Sequence, residues 1–154
     1  MPNILVLCHA NQFRSVVGEY ALRARLDPSA WRVESAGLWA SEGQPAARGL
    51  AEWSGLAGIK SHRSRRVCAE LLDNADLIVV MERGQKEALS LEFPRSAGRI
   101  VLLSELSARV AYDIPDPALG GEDPKKLIAE ILSLVERGLA RIVELAESNA
   151  KKRA

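Results

Sequence analysis

The chain has little cysteine, no charge bias and no long apolar run, and each shortage removes a class of answers. Two cysteines, Cys8 and Cys68, among 154 residues do not make a disulfide framework. With 21 Lys and Arg against 20 Asp and Glu, the formal net charge is +1. Bulk electrostatics therefore predicts neither a nucleic-acid partner nor attraction to an anionic membrane. No apolar stretch approaches membrane-spanning length, so no membrane insertion is expected. A basic stretch followed by a long apolar region is missing too, and no signal peptide is expected. There is no internal repeat, low-complexity segment or interdomain linker. The length suits one domain with a proper core, expected over residues 1–150, with residues 151–154 a frayed basic tail.

The chemistry that is present gathers near the start. The apolar run Ile4-Leu5-Val6-Leu7 leads straight into Cys8, and His9-Ala10-Asn11-Gln12-Phe13 separates that cysteine from Arg14 and Ser15. A strand, a tight loop and a helix N-terminus are thus expected within a dozen residues. Backbone N–H groups in such a loop, together with the helix dipole, favour an anion. Arg14 has the planar fork that grips two anion oxygens at once. Cys8 would lie beneath the same anion, where a helix N-terminus and an adjacent arginine favour a nucleophilic thiolate. The loop His9 to Ser15 therefore supplies a phosphate cradle next to a nucleophile. An active thiolate needs a reducing compartment, so a cytoplasmic location is expected.

Along the rest of the chain, strand-like and helix-like patterns alternate. Val17, Tyr20, Ala21 and Ala24 recur at helical spacing, and this helix should stop near Asp27-Pro28, since a residue before proline resists the helical region. A second strand is expected from Trp31 to Ala36, closed by Gly37. Pro45-Ala46-Ala47 opens a short helix through Trp53, ended by Gly55. Ser64 is read as the cap of a helix to about Asn74, with Val67, Leu71 and Cys68 inward. Leu77 to Met81 is a third strand, Glu82 to Leu91 a helix and Ile100 to Leu103 a fourth strand. Pro115, Pro117 and Gly120-Gly121 mark a loop over residues 113–121. Asp123-Pro124 is a strong helix start, and Leu127, Ile128, Ile131, Leu134, Val135, Ile142 and Leu145 line one face of the final helix. Alternating strands and helices imply parallel strands joined by right-handed crossovers. The expected fold is α/β, a single-domain doubly wound four-stranded parallel sheet of flavodoxin-like order 2-1-3-4, with about five helices covering both faces. Ligands in such sheets bind beyond the carboxyl ends of the strands, where the strand order reverses. Cys8 ends the first strand.

A thiolate attacking a phosphate ester needs an acid for the leaving oxygen. Asp116, between Pro115 and Pro117, would be held stiffly enough to serve. With that residue in place the sequence resembles a low-molecular-weight protein tyrosine phosphatase over nearly its whole length. The marks are the Cys8–Ser15 loop, Ser35-Ala36-Gly37, Gly58-Ile59 before His62-Arg63-Ser64-Arg65, the strand end Val80-Met81, and Asp116-Pro117 before the last helix. The resemblance implies Cys8 as nucleophile, Arg14 as phosphate-binding and transition-state group, and Asp116 as general acid. It implies Asn11 as a loop-shaping residue and Ser15 as hydrogen-bond donor to the thiolate, with Ser35 and His62 in support. It implies hydrolysis of phosphotyrosine esters through a phosphocysteine, with a phosphotyrosine protein as substrate, such as an autophosphorylated tyrosine kinase, and inorganic phosphate as product. No metal and no other cofactor is implied.

The sequence departs from the pattern at several points. Ala10 replaces a usual glycine and Val16 a usual proline. Phe13 stands where many members carry a second cysteine that protects the nucleophile. Ala118-Leu119 stand where aromatics commonly wall the phosphotyrosine ring, leaving Trp39, Leu38 or His9 to supply another wall. Trp31 and Trp53 read as packing residues, and Cys68 as core. The cluster Lys60, His62, Arg63, Arg65 and Arg66 reads as a solvated face, with His62 supporting the loop. His62 and Cys68 with Cys8-His9 fit no zinc spacing. Two other functions compete. An arsenate reductase needs two further cysteines, and Cys68 is the only one to spare. A phosphate-binding module without catalysis would be expected to have lost Cys8, Arg14 or Asp116, and all three are present.

Overall fold

The computed structural model describes residues 1–154. In chain order it comprises β1 (Asn3–Cys8), α1 (Arg14–Arg25), β2 (Arg32–Gly37), α2 (Leu50–Ser54), α3 (Ala69–Asn74), β3 (Leu77–Val80), α4 (Arg83–Glu92), β4 (Ile100–Leu102), α5 (Leu103–Ala108) and α6 (Pro124–Arg153). The four strands form one sheet, parallel as the alternating pattern predicts, in the expected flavodoxin-like order β2-β1-β3-β4.

Why β1 reads as one apolar run is visible in the packing. Ile4, Val6 and Cys8 join the core under α1, α5 and α6. Leu5 and Leu7 face the other way, against Leu72 of α3 and Leu89 of α4. A parallel strand covered on both faces has no solvent side for a polar residue to occupy. α6 runs for 30 residues and buries Leu127, Ile128, Ile131, Leu134, Val135 and Ile142 at helical spacing. Its start follows the cap-and-proline signal, with the Asp123 side chain accepting from the Lys125 N–H at 3.0 Å. No helix is both long and apolar enough to cross a membrane.

The sheet fixes where chemistry can occur. β1 lies between β2 and β3, so chain connections leave it in opposite directions and open a crevice beyond its carboxyl end. Cys8 ends β1 at that point, paired in register with Gly37.

Several sequence expectations are corrected. The helix read from Ser64 is only Ala69–Asn74. Residues 65–67 instead run beside the end of β2, with Gly37 N–H donating to Arg65 C=O at 2.9 Å and Val67 N–H to Gly37 C=O at 2.9 Å; backbone groups engaged there cannot also turn a helix. Cys68 is exposed at the cap position of α3 rather than in the core. The fourth strand ends at Leu102, and Leu103 opens α5, a helix the sequence reading omitted. The tail at 151–153 is not frayed. α6 continues through Arg153, whose guanidinium donates to Ala75 C=O and pairs with Asp76 Oδ1, each at 2.8 Å.

Candidate active site

The loop from His9 to Phe13 turns the chain from β1 into α1. Asn11 sits at its bend with φ 58°, a left-handed conformation that asparagine tolerates better than most side chains. Ala10 is not among the residues with positive φ, so its side chain meets no left-handed backbone penalty. Gly37 makes the close approach possible: a Cβ there would lie 2.6 Å from His9 O and 2.9 Å from Asn11 N. The N–H groups of Ala10, Asn11, Gln12 and Phe13 donate to no other backbone carbonyl, and α1 begins with no side-chain cap. A helix N-terminus left open in this way, with free loop amides beside it, has the donors to hold an anion.

A buried network fixes the loop from below. Asn11 Nδ2 donates to Ser15 Oγ and to Ser35 Oγ, both at 2.9 Å, and Asn11 Oδ1 accepts from Arg65 N–H at 3.0 Å. His62 Nε2 lies 2.9 Å from Asn11 O; a carbonyl only accepts, so Nε2 carries the proton. The Ser35 hydroxyl donates to Glu19 Oε1, and Arg23 pairs with Glu19 Oε2 at 2.7 Å. Cys8 Sγ lies 3.0 Å from Ser15 Oγ: as a thiol it donates to that oxygen, and as a thiolate it can only accept, from the Ser15 hydroxyl. A chain of hydrogen bonds through Ser35, Asn11 and Ser15 thus links Glu19 to the sulfur, and each member is buried. Beside it Tyr20 packs edge-on against His62, with ring centroids 6.1 Å apart, and burial followed by the charge of Glu19 pushes its phenol up.

Arg14 is 1% exposed and is held by three groups. Nη1 pairs with Glu82 Oε2 at 2.6 Å and donates to Ile114 C=O at 2.8 Å, while Nη2 lies 3.5 Å from Asp116 Oδ2. Ile114 clamps the loop that carries Asp116 to the sheet. Its side chain is fully buried and its N–H donates to Met81 C=O at 3.0 Å. Asp113 ties the same loop to α4. The Arg83 N–H donates to its carboxylate at 2.8 Å, and this bond, with the Arg83 side chain, holds Asp113 below the usual carboxylate range. The loop delivers Asp116 with Oδ1 accepting from Ala118 N–H at 2.9 Å, which leaves Oδ2 toward Arg14.

The structure therefore brings Cys8, Arg14 and Asp116 into one cleft of about 320 Å³, lined also by Ala10, Gln12, Phe13, Ala47, Arg48, Trp53, Pro117, Ala118 and Pro124. Of the residues read as rim, Ala118 lines it, whereas His9, Leu38, Trp39 and Leu119 do not. Trp39 is turned away under the Arg66 guanidinium, 5.0 Å from its ring centroid, and borders a separate groove with Leu38 and Phe93. Leu119 is 85% exposed. Trp53, read as packing, is at the cleft instead. The basic cluster is not one solvated face: His62 is buried, and Arg65 donates to Ser35 C=O at 3.0 Å and pairs with Glu34. Sequence reading also missed Glu19, Glu82 and Ile114. Glu19 had a visible signal, since it lies one turn beyond Ser15 on the inward face of α1. Glu82 had another, as an acid just past the carboxyl end of the third strand.

A family model described as low molecular weight phosphotyrosine protein phosphatase matches residues 3–153, and the chain belongs to that family. The low molecular weight protein-tyrosine-phosphatase Etp of Escherichia coli K12 is 32% identical over 123 residues, covering 79% of this chain and 80% of Etp. Among solved structures, a low molecular weight protein tyrosine phosphatase from T. tengcongensis superposes with a TM-score of 0.81 at 27% identity, covering 92% of this chain and 99% of that one. The YwlE arginine phosphatase from Geobacillus stearothermophilus superposes with a TM-score of 0.80 at 26% identity, covering 99% and 96%. Members of this family are phosphoric monoester hydrolases acting through a phosphocysteine.

Proposed function

We propose that this protein hydrolyses phosphotyrosine in proteins, with Cys8, Arg14 and Asp116 as its catalytic groups. The observation that carries the reading is the convergence of a buried sulfur, an open helix N-terminus, a buried guanidinium and a carboxyl oxygen in one cleft. In the first step Cys8 Sγ forms a bond to phosphorus, the bond from phosphorus to the phenolic oxygen breaks, and Asp116 passes its proton to that oxygen. In the second, Asp116 takes a proton from water as that water attacks phosphorus, the bond to sulfur breaks, and Cys8 regains its thiolate with release of inorganic phosphate. Arg14 and the free loop amides hold the non-bridging oxygens in both steps; preorganised donors of this kind are worth about 3 kcal/mol each. Ser15 steadies the sulfur when it is the leaving group, and Asn11, Ser35 and His62 hold the loop.

The physiological substrate in this reading is a phosphotyrosine protein such as an autophosphorylated tyrosine kinase. A thiolate nucleophile fits the reducing cytoplasm. The likeness to YwlE raises phosphoarginine as a second substrate, so both are to be assayed. The test is phosphate release by wild type, Cys8→Ser and Asp116→Ala. Cys8→Ser should be inactive. Asp116→Ala should slow phosphotyrosine far more than an activated nitrophenyl ester, whose leaving group needs little protonation. Phosphate binding by wild type without turnover would overturn the reading.

A further inference from the structure

We propose that Trp53 is the wall on which the leaving group rests, and that with Phe13 and Arg48 it selects flat, uncharged phenols over cationic leaving groups. The proposal rests on the phosphatase reading above and assigns specificity within that site. Ala118 and Leu119 offer no ring, and the aromatics that do line the cleft are Phe13, from the phosphate loop, and Trp53, from α2.

Three observations show that Trp53 is placed rather than merely exposed. Its ring lies over Gly49, where φ is 85° and a Cβ would come within 2.6 Å of Trp53 Cζ2. Only a residue without a side chain lets the ring occupy that position, and the left-handed φ favours the same residue. Lys125 Nζ stands 5.9 Å from the ring centroid, a cation–π contact that ties α2 to the start of α6. The segment entering α2 is fastened to the phosphate loop itself. Ala47 N–H donates to Gln12 C=O at 2.8 Å, and Gln12 Nε2 to Pro45 C=O at 3.3 Å. The chain entering α2 is thereby held against the phosphate loop, while Trp53 stays 44% exposed and lines the cleft.

Charge supplies the second half. The ionisable groups lining the cleft are Cys8, Arg14, Arg48 and Asp116, so the carboxyl group of Asp116 is the single acidic side chain there. A phenol leaves as a neutral molecule after taking the Asp116 proton. A guanidine leaving from phosphoarginine takes up a proton and becomes a cation, and it would meet Arg48 with no further carboxylate to accept it. Like charges sharing one cleft oppose each other.

The test compares phenyl phosphate, acetyl phosphate (activated but ring-free) and phosphoarginine across wild type, Trp53→Ala, Trp53→Phe and Arg48→Glu. Trp53→Ala should lower kcat/KM for phenyl phosphate about tenfold, the size of one lost aromatic contact, mainly through KM, and leave acetyl phosphate nearly unchanged. Trp53→Phe should restore most of the loss. Arg48→Glu should raise the ratio of phosphoarginine to phenyl phosphate turnover. Equal losses on phenyl and acetyl phosphate, or an unchanged ratio in Arg48→Glu, would overturn the proposal. A binding measurement keeps it testable apart from turnover. The indole N–H resonance of Trp53, identified by its absence in Trp53→Phe, should shift with phenylphosphonate and not with inorganic phosphate. No shift with phenylphosphonate overturns the wall; no turnover of any ester by wild type, with the shift intact, overturns the phosphatase reading and leaves the wall standing.

Discussion

Asn11→Ala should cost this fold heavily for the loss of one small side chain. The asparagine is fully buried at φ 58°. Its side chain makes three hydrogen bonds, to Ser15 Oγ and Ser35 Oγ at 2.9 Å and from Arg65 N–H at 3.0 Å. Truncation strips a partner from two buried hydroxyls and one partly buried N–H. At about 1 kcal/mol each, and more where a group is left unsatisfied, the loss is about 3–4 kcal/mol. Alanine in the left-handed region adds about 1 kcal/mol. The sum is a large share of a normal folding free energy of about 5–15 kcal/mol. Asn11→Gly separates the two parts, since it loses the same bonds without the strain and should be more stable than Asn11→Ala by up to about 1 kcal/mol. Urea unfolding followed by circular dichroism gives both values, provided the m-value is unchanged. A loss below about 1 kcal/mol for Asn11→Ala would refute the idea that this network holds the loop, and Asn11→Gly no more stable than Asn11→Ala would refute the strain assigned to the left-handed backbone at position 11.

Three further outcomes follow from other parts of the molecule. Ile114→Ala should destabilise by about 3 kcal/mol as a buried truncation and reduce kcat more than KM, because the residue clamps the loop that carries Asp116; kinetics on the folded variant check this. For Glu34, burial pushes the carboxyl up, but the hydrogen bond from Arg32 and the charge of Arg65 outweigh it and leave the group below its ordinary value. A carboxyl lowered on folding adds stability above its unfolded value, and that stability is lost as pH falls through the folded one. Glu34→Gln should therefore flatten the decline in stability between about pH 5 and pH 3, measured by urea midpoints. Finally, Phe13 occupies the place of a protective loop cysteine, and Cys68 lies outside the cleft. Peroxide should carry Cys8 past the sulfenic acid to states that thiol does not reverse; full recovery of activity in dithiothreitol would contradict this.

How much of this was legible beforehand depended on whether a residue's partner was near in sequence. The parallel sheet followed from apolar runs alternating with helical spacing, since two-sided burial dictates composition along a strand. Cys8, Arg14 and Ser15 fall within eight residues of sequence, so their closeness in space was visible in the spacing. The helix assigned from Ser64 failed because the backbone at 65–67 is recruited by Gly37, a partner almost thirty residues earlier that no local propensity reveals. Trp39 and Trp53 were exchanged for a similar reason. Which indole reaches the cleft is decided by Arg66 over Trp39 and by Gly49 under Trp53, and neither contact has a pattern. Arg153 reads as tail until the fold brings Asp76 beside it. Glu19, Glu82 and Ile114 act through groups on other elements, so only the assembled network shows what each one holds.

The central claim is that Cys8 attacks phosphorus and carries the phosphate. It is tested most directly by mixing enzyme with a phosphotyrosine peptide, quenching within one turnover and mapping the phosphate by mass spectrometry under conditions that preserve phosphocysteine. The account predicts phosphate on Cys8, accumulating further in Asp116→Ala with an activated ester because the second step then lacks its base. Steady turnover with Cys8 unmodified at every time point, or activity surviving in Cys8→Ser, would contradict it.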